Sequence, residues 1–124
     1  MAEESERREY PRAEVKWAVT LITPEVQIEG EIENFTLKGL FVSCGEVPPS
    51  EGILRLVIKL PGRATMNVAG KVIWSTIIDA TESGARLGVG IQFTDISESD
   101  LKILRQAMTE QHRNEEDQGH ASTN

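Results

Sequence analysis

An all-β domain of about six antiparallel strands, arranged as a barrel or a sandwich with one C-terminal helix, is predicted by three observations. Of the 29 Val, Ile and Thr residues, 26 lie between Val15 and Ile96, and their stiff branched side chains favour a pleated backbone. Apolar residues in that stretch recur at every second position, the period of a strand with one buried face. The connections are short, whereas parallel strands need crossovers of a dozen or more residues, usually helical, and a single segment reads as helix.

In chain order, Val15, Trp17, Val19 and Leu21 share one face of the first strand, and Val26, Ile28, Gly30 and Ile32 one face of the second. Leu40 and Val42 mark a short third strand after Gly39. Leu54, Leu56, Ile58 and Leu60 define the fourth, Met66, Val68, Gly70, Val72 and Trp74 the fifth, and Leu87, Val89, Ile91 and Phe93 the sixth. Turn residues fall between these runs at Thr23-Pro24-Glu25, Pro48-Pro49-Ser50-Glu51-Gly52 and Pro61-Gly62-Arg63, with a longer loop expected from Asp79 to Arg86. Ser97 is placed to cap the helix, with Asp100 three residues on, and Leu101, Leu104 and Met108 share one helical face that packs on the sheet or closes a barrel end. Residues 1–12 read as a flexible arm, 13–112 as the folded domain and 113–124, which lack a large apolar anchor, as a disordered tail.

The 124 residues include 13 basic and 20 acidic side chains, a net charge of −7. That balance argues against DNA or RNA as partners, because bulk binding to polyanions needs a basic footprint. An anionic ligand must be held by a local basic cluster. No segment approaches the ~18 apolar residues of a membrane helix, so no membrane insertion is expected. The segment MAEESERREYPR lacks the apolar core of a secretory signal, and one cysteine forms no intrachain disulfide framework, so the expected location is cytoplasmic.

The basic cluster lies in the arm. Arg7, Arg8 and Arg12 precede the first strand, and residues 7–16 carry a local charge of +2. Pro11 disfavours a helix there. On an extended segment, Arg8 and Arg12 project to the same side roughly 13 Å apart at ~3.3 Å per residue. Their planar, permanently charged forks suit phosphate oxygens and the O6/N7 edge of guanine. Asn34 and Thr36, two apart on the second strand, share a face opposite Phe35 and offer donors and acceptors for a base edge or a phosphate. Gly39 allows a positive φ or a close backbone approach. Without a secretory signal, the N-x-T pattern at Asn34 reads as a chance glycosylation match.

No enzyme constellation is present. Cys44 sits among strand residues, far in sequence from His112 and His120, and reads as a small core residue rather than a nucleophile. Two histidines and one cysteine make no structural zinc site, and Asp95–Asp100 suits helix capping better than calcium. Trp17 and Trp74, at strand spacing, read as core. Six aromatic residues and the acidic charge do not furnish the basic aromatic groove of an oligonucleotide-binding barrel.

The R-x-x-x-R arm, Arg8 to Arg12, followed some twenty residues later by a D/N-x-S-x-x-G pattern, Asn34 to Gly39, resembles the signature of PilZ domains. Gly39-Leu40-Phe41-Val42, Gly70-Lys71-Val72-Ile73-Trp74 and Leu87-Gly88-Val89-Gly90-Ile91-Gln92-Phe93 are similar to further strands of that family, so the resemblance runs from about Glu6 to Met108. It implies a six-stranded antiparallel β-barrel with one C-terminal helix, acting as a stand-alone, non-catalytic bacterial receptor for the second messenger cyclic di-GMP, with no cofactor and no metal. By position, Arg8 and Arg12 clamp phosphates and guanine edges, while Asn34, Thr36 and Gly39 form the opposite wall. Arg7 completes an R-R-x-x-x-R arrangement that the family associates with a pair of ligand molecules, hence two per chain. Thr36 stands where the usual residue is Ser, keeping the hydroxyl and adding a methyl. The implied action is that the ligand orders the arm onto the barrel and alters the surface read by a partner protein, in regulation of motility or biofilm. The alternative is a PilZ-like interaction module that does not bind nucleotide; the intact arginines favour the receptor.

Overall fold

The alternating runs become six strands: β1 (Ala13–Ile22), β2 (Gln27–Phe35), β3 (Gly39–Cys44), β4 (Leu54–Lys59), β5 (Met66–Thr81) and β6 (Gly84–Asp95), followed by helix α1 (Glu98–Ser122). The computed structural model describes residues 13–46, 48–49, 51–63, 65–81 and 84–122, without the side chains of 81 and 112–122. All pairings are antiparallel. The sheet closes into a barrel in the order β1-β2-β3-β6-β5-β4, which settles the choice between barrel and sandwich. Among the described residues no helix is long and apolar enough to cross a membrane.

Inside the barrel sit the residues that the period of two assigned there, among them Val19, Leu21, Ile32, Leu56, Ile58, Val89 and Ile91, joined by Phe35, which that period did not place inside. Each such side chain, fully buried, contributes ~1.5–3 kcal/mol relative to exposure. Helix α1 packs against β1 and adds Leu104, Ala107 and Met108 to the same core. Its start is built as expected. The Ser97 hydroxyl accepts the Asp100 amide at 3.1 Å, the Ser97 carbonyl accepts the Leu101 amide at 2.9 Å, and Glu98 and Asp100 in the first turn complement the helix dipole. The helical backbone continues to Ser122, across most of the segment expected as a tail; Glu115, Glu116 and Gln118 are good helix formers that can prolong a helix already anchored by its first turns.

Two expectations about β5 fail. Ile73 and Ile78 are extra residues against β6, since Val72 faces Ile91 but Trp74 faces Gly90, and Ile77 faces Leu87 but Asp79 faces Arg86. Because side chains alternate with period two, one inserted residue moves everything after it to the other face. Met66 and Val68 are therefore buried, whereas Trp74 is 48% exposed and is not a core residue. The Asp79–Arg86 segment is not a loop either: β5 and β6 stay paired through Ala80↔Ala85 to Thr81↔Gly84. This hairpin outruns the barrel, since β4 pairs β5 only as far as Gly70 and β3 pairs β6 only between Leu87 and Gln92.

Candidate functional site

Strand β2 ends with Phe35 buried in the core and Asn34 and Thr36 on the opposite side, half-buried. A bulge at Glu33 sets this end, because Ile32 faces Val42 while Asn34 faces Phe41. The turn that follows is closed by Thr36 itself. Its amide donates to the Gly39 carbonyl at 2.9 Å, and its hydroxyl accepts the Lys38 and Gly39 amides at 3.0 and 3.2 Å. With both of those bonds received, the hydroxyl still has its own proton to donate to an acceptor outside. A serine could make the same bonds, so the threonine leaves this geometry intact. The Phe93 amide donates to the Lys38 carbonyl at 2.9 Å, tying the turn to β6.

Gly39 does not have the positive φ that the sequence reading allowed for it; Gly52, Gly62 and Gly84 do. Its need for glycine lies between strands, because a Cβ there would collide with the Ile91 backbone carbonyl. Backbone cannot yield as a side-chain tip can. Gly39→Ala is expected to cost about 2 kcal/mol by overpacking, read as a lower urea midpoint with an unchanged slope; an unshifted midpoint would refute the role.

A cavity of about 460 Å³ opens beside this turn. It is lined by Asn34, Thr36 and Gly39 together with Phe41, Trp74 and Gln92. The Phe41 and Trp74 rings stack with centroids 5.4 Å apart and planes at 23°. Two glycines of β6 lie beneath them. A Cβ at Gly88 would come within 2.5 Å of Phe41 Cζ, and one at Gly90 would strike the Trp74 indole, 2.6 Å from Cε2. Glycine at both positions lets two large rings lie on the outer face of the sheet. Phe41, Trp74 and Gln92 were missed in the sequence. The available signals were the G-x-G of β6, which leaves room on one face of a strand, and the Val72-Ile73-Trp74 run, which breaks the alternation.

Charge near the site is mostly committed elsewhere. Glu33 binds Lys16 at 2.9 Å and Arg86 at 2.6 Å, and accepts the Ser43 hydroxyl at 2.7 Å. The bonds from Ser43 and Lys16, helped by the charges of Lys16 and Arg86, hold its carboxyl below the usual carboxylate range. Lys38 is the one charged residue among the described residues lining the cavity. The Cys44 thiol is buried, donates to the Glu46 carbonyl at 3.2 Å and is pushed up in pKa chiefly by burial, in keeping with an inert core residue.

Of the six ligand-site candidates, the cavity brings together Asn34, Thr36 and Gly39; Arg7, Arg8 and Arg12 lie outside the described residues. The chain enters β1 at Ala13, the residue after Arg12, and Ala13 pairs with Phe35, between Asn34 and Thr36.

Similar solved structures share this fold at low identity. The PilZ domain with c-di-GMP of YcgR from Escherichia coli superposes with a TM-score of 0.73 at 10% identity, over 92% of this chain and 98% of that one. The Bacillus subtilis inhibitor of motility, MotI/DgrA, gives 0.68 at 24% identity over 87% of this chain, and apo MrkH from K. pneumonia gives 0.75 at 12% over 88%. The chain spans about half the length of these last two, 52% of each. Comparison with curated protein sequences finds no match. A family model described as "PilZ domain" matches residues 6–110, and with the arginine arm, the Asn34–Gly39 turn and the closed six-stranded barrel in agreement, this chain belongs to the PilZ domain family.

Proposed function

We propose that this protein is a cyclic di-GMP receptor. The observation that carries the proposal is the cavity that joins hydrogen-bonding groups, Asn34 and Thr36, to an exposed aromatic pair, Phe41 and Trp74, beside the strand end reached directly from Arg12. Such a surface suits a ligand with flat bases and anionic phosphates. The wall offers stacking and neutral hydrogen bonds but little charge, since Lys16 and Arg86 are bound to Glu33. A dianion therefore calls for cations from elsewhere, and Arg7, Arg8 and Arg12 are the sequence's nearest supply. Arg8 and Arg12 take the phosphates and guanine edges, Arg7 supports a second ligand molecule, and Asn34, Thr36 and the close-packed Gly39 turn form the opposing wall. Ordering the arm costs conformational entropy that charge-assisted contacts offset, and the surface so changed is read by a partner protein. The similar YcgR domain was solved with c-di-GMP and MotI/DgrA is an inhibitor of motility, which favours a signalling role for this chain and motility among its outputs.

Calorimetric titration of the full chain with cyclic di-GMP tests the reading. Saturable binding is expected, at two ligands per chain, with at least tenfold weaker binding in Arg8→Ala and in Arg12→Ala, since each removes charge-assisted bonds worth about 1.5–3 kcal/mol. No heat at high micromolar ligand would leave the interaction-module alternative standing. Undiminished binding by both variants would remove the arm from the site.

A further inference from the structure

The β5–β6 hairpin presents, besides the Trp74 ring that lines the cavity, a backbone edge that the nucleotide reading does not use. Beyond Gly70, β5 has a ladder on its β6 side and none on its other side among the described residues, so Lys71–Thr81 is an open sheet edge. Ile73, Trp74, Ile77 and Ile78 on it are 53%, 48%, 64% and 44% exposed. A long apolar edge is a template for another strand unless it is blunted by charge, proline or a bulge. No proline occurs between Val72 and Ile78. The bulges at Ile73 and Ile78 leave Trp74–Ile77 as a central segment in unbroken register with β6 and lie within the wider Lys71–Asp79 stretch, one on each side of Ser75.

The charges on this edge sit only at its two ends and are opposite. Lys71 and Asp79 are exposed and four residues either side of Ser75. Neither forms an ion pair among the described residues; Arg86, which faces Asp79 across the hairpin, is committed to Glu33 and Ser43. An antiparallel strand related by a two-fold axis through Ser75 would set Lys71 opposite Asp79 of the second copy at both ends, with Val72 opposite Ile78 and Ile73 opposite Ile77 between them. Moving the axis to Thr76 would instead bring Asp79 against Ile73. Only the first register pairs opposite charges, and such a contact is self-complementary and closed, as a two-fold dimer requires.

We propose that the free β5 edge is the homodimerisation surface of this protein, pairing with a second copy about Ser75. A short strand pair buries little area, so the dimer belongs to the weak, concentration-dependent class.

Sedimentation velocity of the full chain without nucleotide, from low to several hundred micromolar, tests this. A shift from 13.7 kDa towards twice that mass is expected. Lys71→Asp and Asp79→Lys each place like charges at both ends of the contact, and each is expected to weaken self-association about tenfold or more. The double variant Lys71→Asp/Asp79→Lys restores opposite charges and should dimerise like the parent. An equimolar mixture of the two single variants should form a heterodimer, because one strand then carries two acids and the other two lysines. A parent that stays monomeric throughout, single variants that associate as well as the parent, or a double variant without rescue would each overturn the proposal. Both substituted sites are exposed, so a circular dichroism spectrum matching the parent's is expected in every case.

Discussion

Phe35→Ala should cost about 3–5 kcal/mol of unfolding free energy, the range for deleting a fully buried aromatic and a large share of the roughly 5–15 kcal/mol that holds a domain folded. Phe35 is 0% exposed and stacks on Trp17 with centroids 5.0 Å apart at 29°. Its backbone pairs with Ala13 on one side and Leu40 on the other, so the ring anchors three strands where they meet. The cavity left behind is walled by sheet on several sides and has little freedom to collapse. Asn34→Ala, one residue away on the outer face, removes no core contact and should stay within ~0.5 kcal/mol. Urea unfolding of the two variants checks the contrast. A loss below about 1 kcal/mol for Phe35→Ala would mean that the barrel repacks around the gap, and would remove Phe35 as the anchor of the Asn34–Thr36 wall.

That Phe35 points one way and Asn34 and Thr36 the other was legible from the sequence, but which of them is inside was not, because counting on from Ile32 reaches Asn34 and only the bulge at Glu33 turns Phe35 into the core. The six strands and the Ser97 cap were legible for similar local reasons. Features decided between distant segments were not. Gly39 reads locally as a turn or a ligand contact, yet what forbids a side chain there is the Ile91 carbonyl on β6, some fifty residues away. Trp74 continues the apolar set of β5 by counting, and only the pairing with β6 reveals the inserted Ile73 that turns it outward. The Asp79–Arg86 segment lacks apolar alternation because it projects beyond the barrel and has no core to face; its strand character comes from the ladder extended out of the paired β5 and β6. The arginines of the arm rest on motif and charge, with Ala13 opposite Phe35 as the structural point nearest to them.

Trp74 is where the sequence reading and the fold part furthest, and it carries the largest expected effect on ligand binding in the wall itself. Stacking of a base on an aromatic ring is worth ~1–3 kcal/mol, so Trp74→Ala should weaken cyclic di-GMP binding about 10–100-fold. The cost to stability should be small, because the ring is half-exposed and gives up chiefly its contact with Phe41, worth ~0.5–1.5 kcal/mol. Gly90→Ala separates ring position from ring presence. The added methyl would strike the indole, and since that side chain faces open space it can tilt away at little cost to the fold. Its affinity should fall towards that of Trp74→Ala although every ligand-facing residue is still present. Fluorescence gives an independent reading. The chain has two tryptophans, and Trp17 is buried, so quenching on ligand addition should come from Trp74 and vanish in Trp74→Ala. Parent-like affinity in Trp74→Ala, or quenching that persists without Trp74, would show that the bases do not stack there and would confine the site to the arm and the Asn34–Gly39 turn.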